Sequence, residues 1–271
     1  MVTPTLNTTP ESYELHQAFA QMVEAGCEYA VMEVSSQGIK MHRTDGLYFN
    51  YAIFTNISPD HIGPGEHADF EEYLYYKTRL LNMCGIGLVN KDDEHAPQII
   101  KAANCELYTY SEESKEADFV ASDIRYVSQP DFVGTEFHIS GKYDMEVRLG
   151  IPGLFNVVNA LAAVSVCSFL GLDQARISHA LENIRVNGRM EIVYTSERCT
   201  VLVDYAHNAV SMESLLSTLR DYKPKRLVCV FGCGGNRSKD RRYSMGEIGG
   251  KMADLSIITA DSSRYEKVED I

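Results

Sequence analysis

Two apolar runs in this chain end in groups that could do chemistry. The first reads YAVMEV from Tyr29 to Val34 and brings Glu33, Ser35 and Ser36. The second reads AIFTNI from Ala52 to Ile57 and brings Asn56, Asp60 and His61. A carboxylate beside an imidazole could hold a divalent cation, and the hydroxyls could contact a substrate or a phosphate. Those groups meet only if the two runs are neighbouring strands, because open α/β sheets gather ligands at the carboxyl ends of their strands. Short β-rich apolar runs suit buried parallel strands. The ordinary alternative stays open, since an acidic residue near a strand end also serves as a cap or a surface charge.

Lys77 is the next such group. Phe70, Tyr73, Leu74 and Leu81 recur at helical spacing, which predicts a helix over 70–81 with Lys77 on its inward face. A buried ammonium is costly unless it is paired or chemically altered. A lysine that snorkels to solvent is the plainer reading.

The elements needed to position these groups have an α/β order. Pro10 to Ala25 reads as a helix with Thr9 as its cap. Strands are predicted at 29–34 and 52–57, then the Lys77 helix, a strand at 85–90, a helix at 94–103 and a strand at 105–110. Residues 118–126, 132–140 and 143–149 form an antiparallel patch punctuated by Gln129-Pro130-Asp131 and Gly141-Lys142. Helices at 155–170 and 173–184 complete a first domain, 1–186. The second, 187–271, reads as strands at 190–195 and 199–204, a helix at 208–221, a strand at 226–231, a helix at 241–253 and a strand at 254–259. Its alternation predicts a second parallel sheet.

Composition excludes more than it selects. The 271 residues suffice for two domains. A net charge of −13 argues against nucleic acid or a membrane surface as partner. The seven cysteines form no C-x-x-C pair and suit reduced thiols in a cytoplasmic protein. No apolar run is long enough to span a bilayer.

Taken in order, the motifs resemble the Mur ligases. They are MEVSSQG (32–38), His42-Arg43, TNISPDHIG (55–63) and YLYYKTRLL (73–81), then GLFNVVNA (153–160), NGRME (187–191), VDYAHN (203–208) and FGCGGNR (231–237) with KDRR (239–242). Within the family the match is strongest to members that add the third amino acid to UDP-N-acetylmuramoyl-L-alanyl-D-glutamate. The resemblance implies a central ATPase-type domain, a parallel sheet with helices plus a small antiparallel sheet, followed by a Rossmann-like domain, both incomplete. It implies a cytoplasmic, monomeric ligase that uses ATP and Mg2+ to join a carboxylate to an amine through an acyl phosphate. Both steps gather negative charge, so such a site needs cations and fixed donors.

The family's roles fall on these positions. The resemblance implies that Glu33, His61 and Lys77 serve the metal, with Lys77 as a carbamate. It places Thr8, Thr9, Ser35 and Arg43 on the UDP-muramoyl-dipeptide, although Thr9 could be only a helix cap and Arg43 a loop charge. It places Asn156, Asn159, Arg189, Asp204 and His207 on ATP, with Asn156 read as a structural partner of Asn159. Asp261 and Arg264, in a D-S-S-R segment, stand where members specific for meso-diaminopimelate read D-N-P-R. An arginine suits that amino acid's extra carboxylate, so diaminopimelate is favoured over lysine.

No G-x-x-x-x-G-K-[ST] loop occurs in the 271 residues. The sequence therefore reads as a piece of such a ligase with little activity alone. The alternatives are a non-catalytic binding module or remnant subunit, and a related ligase such as folylpolyglutamate synthase.

Overall fold

The computed structural model describes residues 5–59, 61–63, 65–236 and 239–271; Asp60 and Arg237 lie outside the described residues. Along the chain run α1 (Ser12–Glu24), α2 (Ser36–Lys40), β1 (Phe49–Phe54), α3 (Phe70–Arg79), β2 (Cys84–Asn90), α4 (Ala96–Ala102), β3 (Glu106–Ser111), β4 (Phe119–Gln129), β5 (Phe132–Gly141) and β6 (Met145–Leu149). Then come α5 (Leu154–Phe169), α6 (Gln174–Glu182), β7 (Glu191–Thr195), β8 (Thr200–Val203), α7 (Ala209–Asp221), β9 (Val228–Phe231), α8 (Lys239–Met252) and β10 (Leu255–Ile258). No helix among the described residues is long and apolar enough to cross a membrane. The chain folds as two compact units, one of residues 1–120, 140–143 and 161–170, the other of residues 121–139, 144–160 and 171–271.

In the first unit β1, β2 and β3 run parallel, with Tyr51 opposite Ile86 and Leu88 opposite Tyr108, and the start of β4 joins β3 at Tyr110 and Ser111. Parallel neighbours need a crossover between them, which α3 and α4 supply. Their apolar faces bury Tyr73, Leu74, Ala96 and Ile99, with Leu81 of the turn after α3, against Ala52, Phe54 and Val89. Asp69 caps α3 by accepting from the Glu72 amide.

In the second unit β5 and β6 pair antiparallel, Phe137 opposite Val147. Connection length decides the pairing sense of the last four strands. β7 and β8, joined by a four-residue turn (196–199), pair antiparallel, whereas β9 and β10 enclose α8 and pair parallel. The strands at 190–195 and 199–204 therefore form a hairpin rather than members of a parallel sheet. Met212, Leu216, Leu227 and Met245 form the core beneath α7 and α8.

Two expectations fail near the N-terminus. Residues 29–34 form no strand; Val31 is 101% exposed and Tyr29 60%. An extended run becomes a strand only through a ladder partner, and none pairs with this one among the described residues. The second run is a strand, but over Phe49–Phe54, so Asn56 stands two residues beyond its end. Thr9 does not cap α1. That cap is Glu11, in a reciprocal capping box with Glu14.

Candidate active site

In the first unit the site is built around Thr9, which is fully buried. Its hydroxyl donates to the Glu33 carbonyl (3.1 Å) and accepts from the Ser35 amide (2.9 Å), with Ser35 Oγ 3.1 Å away. Ser35 in turn caps α2, its Oγ accepting from the Gly38 amide at 3.0 Å. Gly38 is required there: a Cβ would stand 2.7 Å from Thr9 Cγ2. Arg43 Nη1 donates to the Thr9 carbonyl at 3.3 Å, and its Nε pairs in charge with Glu11 at 2.9 Å without an aligned hydrogen bond. Thr9, Ser35 and Arg43 are thus one assembly although 26 and 34 positions separate Thr9 from the other two. Thr8 is exposed beside it. The buried Thr9 hydroxyl holds Ser35.

His61 and Lys77 meet on Tyr73. His61 is exposed, in the left-handed region at φ 53°, with Nδ1 3.3 Å from Glu66 Oε1 and its ring edge on Tyr73 at 5.9 Å. Lys77 Nζ donates to the Asn56 carbonyl at 3.3 Å and lies 5.2 Å from the Tyr73 ring centre. Lys77 is half-buried while Tyr73 and Leu74 are buried, so its inward placement on α3 is as the spacing implies. Glu33 is exposed, and its carboxylate makes no hydrogen bond among the described residues. No three His, Cys, Asp or Glu side chains cluster as metal ligands among the described residues. Magnesium takes one or two protein carboxylates together with waters and substrate phosphates. The exposed Glu33 carboxylate fits that demand; His61 and an unmodified Lys77 do not supply hard oxygen donors.

His67 is the residue that sequence reasoning missed. It is fully buried, with Nε2 2.9 Å from Ser36 Oγ and Nδ1 3.7 Å from Glu72 Oε2. Burial, then the Lys40 ammonium, pulls its pKa below the ordinary value and keeps the ring neutral. The Ala68 amide, then Lys40 at 2.9 Å, holds the Glu72 carboxyl below its usual range. A lone histidine in a loop has no periodicity to expose it.

In the second unit Asp204 is a clasp. One carboxylate oxygen accepts from the Met190 amide and the other from the Ala206 amide, both at 2.8 Å. This joins the NGRME and VDYAHN segments. Arg189 lies over the Tyr205 ring at 5.2 Å and His207 meets the same ring edge-on at 5.0 Å, so Arg189 and His207 lie together beside Asp204. Arg189 and His207 are exposed. Asn156 is buried and donates to the Pro152 carbonyl at 2.6 Å, while Asn159 is exposed on α5. Asn156 therefore fixes the start of the helix that presents Asn159. Tyr222, at the end of α7, tightens the same turn; its hydroxyl accepts from the Gly153 amide (3.3 Å) and donates to the Gly134 carbonyl (3.0 Å).

The glycine-rich loop packs on the segment holding Asp261 and Arg264. The Gly235 amide donates to the Ser262 carbonyl at 2.9 Å, and a Cβ on Gly235 would stand 1.9 Å from the Ser263 carbonyl oxygen. Glu266 accepts from the Asn236 amide at 3.0 Å and from Arg242. Asp261 turns back onto the Ser262 amide, and Arg264 is exposed at φ 52°. Asp261 and Ser263 line a cleft of about 220 Å³ with Phe231, Cys233 and Arg242.

Residues 1–167 match the Mur ligase middle domain and residues 188–271 the Mur ligase glutamate ligase domain. The chain belongs to the Mur ligase family. It is 39% identical, over 97% of its length, to UDP-N-acetylmuramoyl-L-alanyl-D-glutamate–2,6-diaminopimelate ligase 2 of Clostridium acetobutylicum, of which it covers 54%. A solved structure of a UDP-N-acetylmuramoyl-L-alanyl-D-glutamate–2,6-diaminopimelate ligase matches with a TM-score of 0.76 at 30% identity, over 96% of this chain and 54% of that one. The folylpolyglutamate synthase of Mycobacterium tuberculosis, complexed with ADP, shares the fold at 18% identity and a TM-score of 0.54, over 77% of this chain and 54% of that one. The chain spans about half the length of the curated relatives it matches.

Proposed function

We propose that this chain carries the central and C-terminal parts of an ATP-dependent ligase that adds meso-diaminopimelate to UDP-N-acetylmuramoyl-L-alanyl-D-glutamate in peptidoglycan synthesis. The observation that carries the reading is the 39% identity, over 97% of the chain, to a ligase named for that reaction. Its site residues also fall into assembled groups, which supports the same view.

In this reading the substrate carboxylate attacks the γ-phosphate of ATP, releasing ADP and leaving an acyl phosphate. The amine of the incoming amino acid then displaces phosphate and gives up a proton. Magnesium, when bound, neutralises charge on the phosphate oxygens. Glu33 would hold it as a carboxylate ligand, with His61 as a further candidate ligand. Lys77, after its ammonium gives up one proton, would add CO2 at Nζ and lose a second proton, becoming an anionic carbamate with oxygen donors; this would remove the cost of a half-buried ammonium and add hard donors to the site. Ser35 and Arg43, braced by Thr9, hold the muramoyl-dipeptide with Thr8 at the rim. Arg189, Asp204, His207 and Asn159, braced by Asn156, receive ATP. Arg264, with Asp261 shaping its turn, takes the distal carboxylate of diaminopimelate.

A thermal-shift titration of the purified chain with UDP-muramoyl-dipeptide and with Mg-ATP tests the reading. Stabilisation by the dipeptide, through Ser35 and Arg43, is the expected result. No shift with either ligand would favour the alternative of a non-catalytic remnant.

A further inference from the structure

His67 touches several parts of the candidate site at once. Its side chain meets Ser36 Oγ at 2.9 Å, next to Ser35 at the start of α2. Its amide donates to the His61 carbonyl and its carbonyl accepts from the Gly63 amide, both at 3.0 Å, closing the loop that carries His61. Its ring packs on Tyr73 at 5.2 Å, and Tyr73 carries both the Lys77 ammonium and the His61 ring edge. Three segments converge on one buried imidazole, and one of them, at Ser36, lies 31 positions away in the chain.

Ser36, His67 and Glu72 stand in the order of a hydrolytic triad, yet the geometry excludes that use. Ser36 is 5% exposed and His67 is not exposed at all, so no substrate reaches the hydroxyl. The 3.7 Å from Nδ1 to Glu72 is also too long for a hydrogen bond. What remains is orientation. The Glu72 carboxylate favours the proton on Nδ1, so Nε2 accepts from the Ser36 hydroxyl. Lys40 donates to Glu72 at 2.9 Å and to the Glu66 carbonyl at 2.8 Å, tying the other end to the same loop. A ring here does two jobs that an apolar side chain could not combine: it fills the space beneath Tyr73 and Tyr76 and fixes the rotation of Ser36.

We infer that His67 is a positioning residue, holding the start of α2, the His61 loop and the Lys77 helix in one arrangement. The inference rests on reading Ser35, His61 and Lys77 as site residues, but its physical content can be measured without them. In the purified chain, His67→Phe keeps the aromatic contacts and loses the bond to Ser36, whereas His67→Gln keeps an acceptor near the Nε2 position. Amide hydrogen exchange at Gly38, Gly63 and residue 67 should accelerate about tenfold in the Phe variant, with β2 and β3 unchanged. The Gln variant should recover most of that protection. Affinity for UDP-muramoyl-dipeptide should change in the same order, weakening about tenfold in the Phe variant. Unchanged exchange in both segments, or an equal rise across β2 and β3, overturns the inference. Wild type without affinity for the dipeptide would count against the functional reading, and the exchange result alone would still decide the role of His67.

Discussion

The two units hold their polar groups in opposite ways. In the first, Thr9, Ser36 and His67 are buried; Thr9 bonds Ser35, His67 bonds Ser36, and Lys40 and Glu72 pair beside His67. In the second, Arg189, His207, Asn159 and Arg264 project from the surface, and what is fixed is the backbone beneath them, through Asp204, Asn156 and the glycine-rich loop. The first arrangement exists before any ligand arrives and is costly to disturb, because a broken partner leaves a buried polar atom unsatisfied. The second leaves its side chains free to adjust while their anchors stay put. Stability and function should therefore be coupled in the first unit and separable in the second.

Backbone contacts give the largest expected effects. Gly235→Ala places a Cβ 1.9 Å from the Ser263 carbonyl oxygen, which neither backbone can absorb. We expect about 3 kcal/mol of destabilisation by urea unfolding. A variant as stable as wild type would mean that the glycine-rich loop does not pack as described. Thr9→Val should come next at about 2 kcal/mol, because the Ser35 amide and the Glu33 carbonyl both lose their partner. In the same variant muramoyl-dipeptide binding should fall with stability; intact binding would break the contrast between the units.

Glu112 supplies a pH test of the first unit. Burial, then the Asp92 carboxylate, raises its pKa from 4.5 to about 7. A carboxyl raised in the folded state contributes stability that is full below pH 4.5 and lost as pH rises through about 7. Glu112→Gln should therefore flatten the decline in Tm across that window and be more stable than wild type above it. Parallel pH profiles for the two proteins would refute the assignment.

The smallest stability effect belongs to Arg264→Ala, within about 0.5 kcal/mol because the side chain is exposed. In a complete enzyme it should weaken use of diaminopimelate more than use of ATP. Equal losses for both would sink the assignment of Arg264 to the amino acid.

Much of this was legible in the sequence where local pattern and tertiary environment agree. The apolar run at β2 is largely buried, its predicted span misses one residue at its start, and the predicted span of β3 is shifted by one residue. Periodicity placed Lys77 with Tyr73 and Leu74 on one face of α3. Asn156 was readable as a support for Asn159, and it bonds the Pro152 carbonyl. The run at 29–34 was misread because its pattern matches a buried strand, whereas a ladder partner is a property of the neighbours. Thr9 was misread as a cap because a threonine before Pro10 fits that signal, while its hydroxyl is taken by Glu33 and Ser35, more than twenty positions away.

By itself the sequence determined the order of helices and strands from β1 onward, the family to which the chain belongs, and the residue types offered to ligands. These depend on periodicity, turn chemistry and motif order, all local along the chain. Only the tertiary structure decided that Thr9 is buried and holds Ser35, that Asp204 clasps two segments, and that Ser36, the His61 loop and Tyr73 converge on His67. Such contacts join residues with no fixed spacing. A buried polar atom must find a partner wherever the folded chain provides one.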